Sequence, residues 1–344
     1  MPQNLQFAIS FANRRYYFCR NTTSFPGYLV TPFQYQLANY GPTASWQTPS
    51  TSDAYSYCQD LTAQSYENFS VISWFLPTEL HPHFAAIYAY CRWADDLADE
   101  TTTDAQGLKL LAWWEEQLES CYQEDAHHPV FVALKRTIRE FKIPITPLRN
   151  LLIAFRQDQT KKRYNTYREL LAYCRNSADP VGRLVMYLGH CYSPEAVVYS
   201  DRVCTGLQLA NFWQDVRRDF DKGRIYIPAE DFQRFGLSID DMPACAEQDA
   251  FRELIEFEVR RAEQLLASGE PIVDFFPSKL KVDIALFIRG GQTILRQIRQ
   301  QRFDTWSHRP KVGKGTKVKL LAQAWWEIRV RNKQFRADSY EVPA

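Results

Sequence analysis

Several things are missing from this sequence, and each absence narrows what the chain can be. No apolar run reaches the ~18 residues that a membrane-spanning helix requires, so no helical span is expected. Cysteine occurs eight times, at positions 19, 58, 91, 121, 174, 191, 204 and 245, yet never as Cys-x-x-Cys. Such spacing offers neither a zinc site nor a disulfide framework, and the cysteines read as reduced packing residues of a cytoplasmic protein. Neither charge is in surplus: 41 Lys and Arg stand against 40 Asp and Glu, a formal +1, which argues against nucleic acid as a partner. Strand-like alternation is scarce and no repeat of solenoid period occurs, which leaves an all-α chain. Acids are absent before Asp53, and the few basic residues there (Arg14, Arg15, Arg20) precede no apolar signal core. We therefore expect residues 1–53 to be a poorly ordered N-terminal extension.

Two acidic clusters stand out against this background. The uncharged run Phe84 to Cys91 reads as a buried helix, and it leads directly into Arg92-Trp93-Ala94-Asp95-Asp96-Leu97-Ala98-Asp99-Glu100. On a helix, residues four apart lie one turn above each other, about 6 Å between side-chain roots, so Asp95 stacks on Asp99 and Asp96 on Glu100. Like charges so placed repel, and a divalent cation reverses the sign. A helix end in solvent would also account for one such cluster. A second one weakens that account: Gln208, Asn211, Asp215 and Asp219 follow one another at helical steps after another apolar stretch. Mg²⁺ takes one or two carboxylates and completes its shell with water and phosphate oxygens, so two acidic faces suggest metal-lined walls for a diphosphate.

Asp95-Asp96-x-x-Asp99-Glu100 and Asn211-x-x-x-Asp215-x-x-x-Asp219, followed by Gly223-Arg224-Ile225-Tyr226-Ile227-Pro228, resemble the paired aspartate motifs of the squalene and phytoene synthase family. The resemblance runs from about Tyr55 to about Leu321. Tyr66 to Val71, Ala178-Asp179-Pro180-Val181-Gly182 and Arg289-Gly290-Gly291 look most like its hydroxysqualene synthase branch, from the bacterial hopanoid pathway. The resemblance implies a single-domain isoprenoid synthase helical fold around a central apolar cavity, with Mg²⁺ as cofactor and an isoprenoid diphosphate as substrate. It implies metal ligands at Asp95, Asp99, Asn211, Asp215 and Asp219, and diphosphate-binding residues at Arg92, Gln208, Arg224 and Tyr226. Tyr173 stands where the family has a tyrosine implicated in ionising the substrate or in proton transfer. Asp179-Pro180 replaces the family's usual Gly-x, and Gln214 stands where some relatives have arginine, which removes one cation.

Along the chain, the helical pattern starts near Asp53 and continues to about residue 305, with Thr78 as cap of the helix that carries the first cluster. Helices are expected at Ala105 to Cys121, Val130 to Phe141, Tyr167 to Asn176, Pro180 to His190, Pro194 to Asp219, Phe251 to Ala267 and Ser278 to Gln301. Tyr88, Tyr90, Phe155, Tyr173, Tyr187, Phe212 and Trp213 suit either a packed core or a cavity whose aromatic faces steady a carbocation. Gln157 to Tyr164 reads either as a basic flap over the diphosphate, with Asp158 and Arg163 taking part, or as a solvated loop. Residues 306–344 form a basic tail in which Leu320 to Val330, with Trp325-Trp326, suits peripheral contact with the inner face of an anionic membrane or simple packing on the core. A partner enzyme that passes on the substrate fits the same picture.

Three functions compete. The first ionises presqualene diphosphate, rearranges the cation and captures it with water to give hydroxysqualene. The second joins two farnesyl diphosphates into presqualene diphosphate, or performs phytoene-type head-to-head transfer. The third is a non-catalytic scaffold or assembly factor, against which both acidic faces and Arg224 are intact.

Overall fold

A computed structural model describes residues 32–64, 76–101 and 103–310. Among these residues there is no strand; the sole extended pairing is an isolated parallel bridge between Arg163 and Ile225. The chain divides into two compact units, one of residues 32–64 and 79–160, the other of residues 161–310 with 76–78.

The first unit holds α1 (Pro32–Tyr40), α2 (Thr51–Gln64), α3 (His81–Asp99), α4 (Asp104–Tyr122), α5 (Pro129–Phe141) and α6 (Ile145–Thr160). Its core is aromatic. Trp93 of α3 stacks on Trp114 of α4 at 5.2 Å, and His128 meets both edge-on at 4.6 and 4.9 Å. The His128 Nδ1 accepts the Val130 N–H at 3.2 Å and so caps α5, while burial pushes the imidazole down to about 3. Polar ties complete the unit: Tyr90 donates to the Leu148 carbonyl at 2.9 Å, and Trp93 Nε1 to the Tyr57 hydroxyl at 3.0 Å.

The second unit holds α7 (Tyr167–Ser177), α8 (Asp179–Leu188), α9 (Pro194–Gln214), α10 (Val216–Asp221), α11 (Ala229–Arg234), α12 (Met242–Cys245), α13 (Asp249–Gly269), α14 (Ile272–Phe275) and α15 (Ser278–Gln300). Helix α9 is its axis. Every residue from Val203 to Gln214 is buried, with α8, α13 and α15 packed around it. Ser193 Oγ caps α9 by accepting the Ala196 N–H at 3.1 Å, and Pro194 sits in the first turn, where a missing N–H costs little. The α8 and α9 backbones come close because Gly182 has no side chain; a methyl there would collide with Ser200 Oγ and Cys204 Sγ. The seven described cysteines are unpaired thiols, six of them buried.

Three expectations change. Residues 32–53 are folded rather than part of an unordered extension: Phe33 packs edge-on against Trp93 at 5.2 Å, and Tyr40 against Trp46, Tyr57 and His128. Thr78 opens a short 3₁₀ turn, and α3 starts at His81 with proline in its first turn and no side-chain cap. Residues 306–310 join the folded second unit, where Trp306 packs on Phe220 at 5.1 Å. Residues 1–31, the Tyr66 to Val71 motif and the basic stretch from 311 to 344 lie outside the described residues. No described helix is long and apolar enough to cross a membrane.

The buried His128 sets a pH dependence. Its folded value lies below the unfolded 6.5, so the unfolded chain binds the extra proton as pH falls from about 6.5 toward 3, and stability is lost over that window, by at most about 1.4 kcal/mol per pH unit. His128→Asn keeps a cap without the titration. Urea unfolding between pH 7 and 4 should show a smaller loss for H128N than for the parent chain.

Candidate active site

In the first unit, the end of α3 carries the first acidic cluster because the helix is apolar nearly all round from Ala85 to Ala98, which draws Asp95 and Asp96 inside with it. They are 3% and 4% exposed, whereas Asp99 is exposed. Arg92 lies one turn earlier and grips Asp96 as a fork, Nη2 to Oδ1 at 2.8 Å and Nε to Oδ2 at 3.0 Å, with Asp95 Oδ2 at 3.7 Å from Nη1. The fork makes Asp96 the chief partner of Arg92, with Asp95 and Asp99 one turn apart on the same helix.

In the second unit, the second cluster spans the end of α9. The helix breaks at Asp215, whose ψ of 16° starts the short α10, yet the Asp219 N–H still reaches the Asp215 carbonyl at 2.9 Å. The single helix expected from Pro194 to Asp219 is therefore two, joined at the central carboxylate. Gln208, Asn211, Asp215 and Asp219 are all buried. Burial, and then the neighbouring Asp215 charge, push the Asp219 carboxyl well above the usual carboxylate range, only partly offset by Lys222, Arg224 and Arg218. The Gln208 Oε1 and Asn211 Nδ2 atoms are buried and meet no hydrogen-bond partner. Two carboxylates one turn apart across the break between α9 and α10, together with the orphaned Gln208 Oε1, supply hard oxygen donors that fit a divalent cation, whereas the orphaned Asn211 Nδ2 is a hydrogen-bond donor. Among the described residues no three His, Cys, Asp or Glu side chains form a cage; Mg²⁺ needs none, since water and phosphate oxygens complete its shell.

Beside this ladder, Arg224 and Tyr226 line a narrow crevice of about 10 Å³ with Asp219, Phe212, Trp213 and Met242. The Arg224 N–H binds the Asp219 carbonyl at 2.8 Å, fixing the turn after Gly223, whose φ of 75° suits glycine. Tyr226 stacks on Phe212 at 3.8 Å, and Tyr164 and Tyr173 extend the group, 5.9 and 6.1 Å from Tyr226. Tyr173, 3% exposed, is thus brought to the second ladder as an aromatic neighbour of Tyr226 and Phe212.

The stretch Lys161 to Asn165 is stitched to the strip after α10: Ile225 N–H to the Lys162 carbonyl at 2.9 Å, Ala229 N–H to Tyr164 at 2.9 Å and Glu230 N–H to Asn165 at 3.0 Å. Its cations are engaged, Lys161 with Glu169 at 2.8 Å and Arg163 with Asp240 at 2.5 Å. Of the stretch Gln157 to Tyr164, read as either flap or solvated loop, residues 157–160 end α6 and the rest is a tied loop beside Arg224 and Tyr226.

One contact at the site had no signal in the local sequence. Arg309, 94 positions from Asp215, forks its carboxylate: Nη2 reaches Oδ2 at 3.0 Å and Nε binds Oδ1.

The model of the squalene/phytoene synthase family matches residues 62–316. The chain is 30% identical over 298 residues to phytoene synthase of Arthrospira platensis, covering 83% of this chain and 96% of that protein. Among solved structures it is similar to squalene synthase HpnC from Alicyclobacillus acidocaldarius, with 41% identity and a TM-score of 0.71 over 74% of this chain and 96% of the other. It is also similar to a dehydrosqualene synthase solved with a ligand, with 25% identity and a TM-score of 0.73 over 81% and 97%. An all-helical chain with both aspartate ladders and a family match over most of its length belongs to the squalene/phytoene synthase family, whose members act on prenyl diphosphates in isoprenoid biosynthesis.

Proposed function

We propose that this chain converts presqualene diphosphate to hydroxysqualene with release of diphosphate, a step of squalene and hopanoid biosynthesis. The observation that carries this reading is the 41% identity to squalene synthase HpnC, against 30% to the phytoene synthase and 25% to the dehydrosqualene synthase. Asp95 and Asp99 on α3, and Asn211, Asp215 and Asp219 on α9 and α10, would hold Mg²⁺. Bound Mg²⁺ supplies positive charge against the leaving diphosphate.

The remaining work falls to the chain. The Arg224 fork and the Tyr226 hydroxyl bind phosphate oxygens at the crevice, with Gln208 and Arg92 as further diphosphate contacts. Ionisation breaks the carbon–oxygen bond, and its electron pair leaves with the diphosphate. The rearranged cation then takes a lone pair from water, which loses a proton, and the product is an alcohol. The rings of Tyr164, Tyr173, Phe212 and Tyr226 present π-faces that favour a cation and exclude bulk water. Tyr173 is the group that holds or moves a proton. We place the reaction in the cytoplasm, with the apolar product released toward the inner face of the membrane and a pathway enzyme supplying the substrate.

A second reading is condensation of two prenyl diphosphates, favoured by the match to phytoene synthase over 96% of that protein's length. Mass spectrometry of products formed with Mg²⁺ and no NADPH separates the two. Hydroxysqualene from presqualene diphosphate, with farnesyl diphosphate untouched, is expected; presqualene diphosphate or a phytoene-type product made from farnesyl diphosphate would establish the second reading.

Asp215→Asn should lower diphosphate release by at least about a hundredfold while the circular dichroism spectrum is unchanged, since it removes the charge at the centre of the ladder. Asp95→Ala with Asp215→Ala should abolish turnover, and a biological activity that survives both would mark the chain as a scaffold.

A further inference from the structure

Residues 301–310 turn back from the end of α15 and run over α10. Trp306 packs on Phe220 at 5.1 Å, and the Arg217 guanidinium lies over the Trp306 ring at 4.7 Å. Asp304 folds the turn, accepting from the Ser307 N–H at 2.9 Å. The strap ends on the second ladder at two points. Gln214, fully buried, donates through Nε2 to the Pro310 carbonyl at 2.8 Å. Arg309 closes its fork on both oxygens of Asp215, with side chains 14% and 1% exposed, and the Arg218 guanidinium adds a 3.5 Å contact to Oδ1.

Gln214 lies next to Asp215 in the chain. Here its amide holds the Pro310 backbone, and that anchor delivers Arg309 to the adjacent carboxylate. Arg309 thus reaches Asp215 from 94 positions along the chain. A forked guanidinium on a nearly inaccessible carboxylate occupies both oxygens that a metal ion would use.

We infer that Arg309 is a positioning residue and latch: it stands in for the divalent cation on Asp215, and metal loading releases it, so that the strap of residues 301–310 is coupled to metal occupancy. This rests on the proposed role of Asp215 as a metal ligand. The strap works by exchange, one cation for another, and a buried carboxylate is never left bare.

The test is Mn²⁺ binding to the full chain, read from the electron paramagnetic resonance of free Mn²⁺, for the parent, Arg309→Gln, Arg309→Lys and Asp215→Asn. Removing a charge-assisted fork should tighten Mn²⁺ binding on the order of tenfold in R309Q, with R309K in between, since lysine offers charge without the fork. Hydrogen exchange of the unmutated chain gives a readout free of folding effects: amides of residues 301–310 should exchange faster when Mn²⁺ is added. Equal or weaker Mn²⁺ binding by R309Q, or strap amides slowed or unmoved by Mn²⁺, would overturn the latch while leaving Asp215 as a ligand. Parent affinity retained by D215N, or no Mn²⁺ bound by any variant, would remove the metal reading and the latch with it.

Discussion

The constraint on which the second unit depends is the burial of like charge. Asp215, at the break after α9, and Asp219, on α10, are one turn apart and 2% and 4% exposed. In such a setting a second carboxylate charge is costly, which is why Asp219 is held well above its usual range. A helix can carry this arrangement only if cations are built around it. Arg218, Lys222 and Arg224 from the adjoining segment and Arg309 from 94 positions beyond Asp215 supply them.

From that requirement much of the surrounding structure follows. Helix α9 must be straight, buried and closely wrapped to place Gln208, Asn211 and Asp215 at fixed steps, and Gly182 allows α8 near enough to enclose it. The break at Asp215 then sends α10 into a turn at Gly223, where the backbone of Asp219 catches Arg224. The loop from Lys161 to Asn165 clamps the next strip, so Tyr226 lies flat on Phe212. The polar ladder and the Phe212–Tyr226 stack are thus carried by one continuous stretch of backbone, residues 208–226.

Features that depend on short sequence separation were legible. The long helices were visible from apolar periodicity and from prolines near their starts, and helical stepping alone spaced Asn211, Asp215 and Asp219 one turn apart, although the break at Asp215 and the short α1, α11, α12 and α14 were not. Features that depend on distant partners were not. Phe33 and Tyr40 carry no periodic signal, yet they fold residues 32–53 onto Trp93 and His128. Arg92 was read as a phosphate contact, and its fork with Asp96 is visible only from side-chain geometry. The stretch Gln157 to Tyr164 read as a flap or a solvated loop because the partners of its second half lie some 60 residues on, in the strip from Ile225 to Glu230. Arg309 looked like one basic residue of a tail, because nothing local marks it as the partner of Asp215.

The central claim is that the buried ladder of α9 and α10 is a divalent-cation site for a diphosphate. A crystal structure with Mn²⁺ and an unreactive thiodiphosphate analogue, with anomalous scattering used to place the metal, tests it most directly. The account predicts Mn²⁺ bonded to side-chain oxygens of Asp215 and Asn211 or Asp219, with the analogue's phosphate oxygens completing the shell. Analogue bound with no metal on any of these three residues would contradict it.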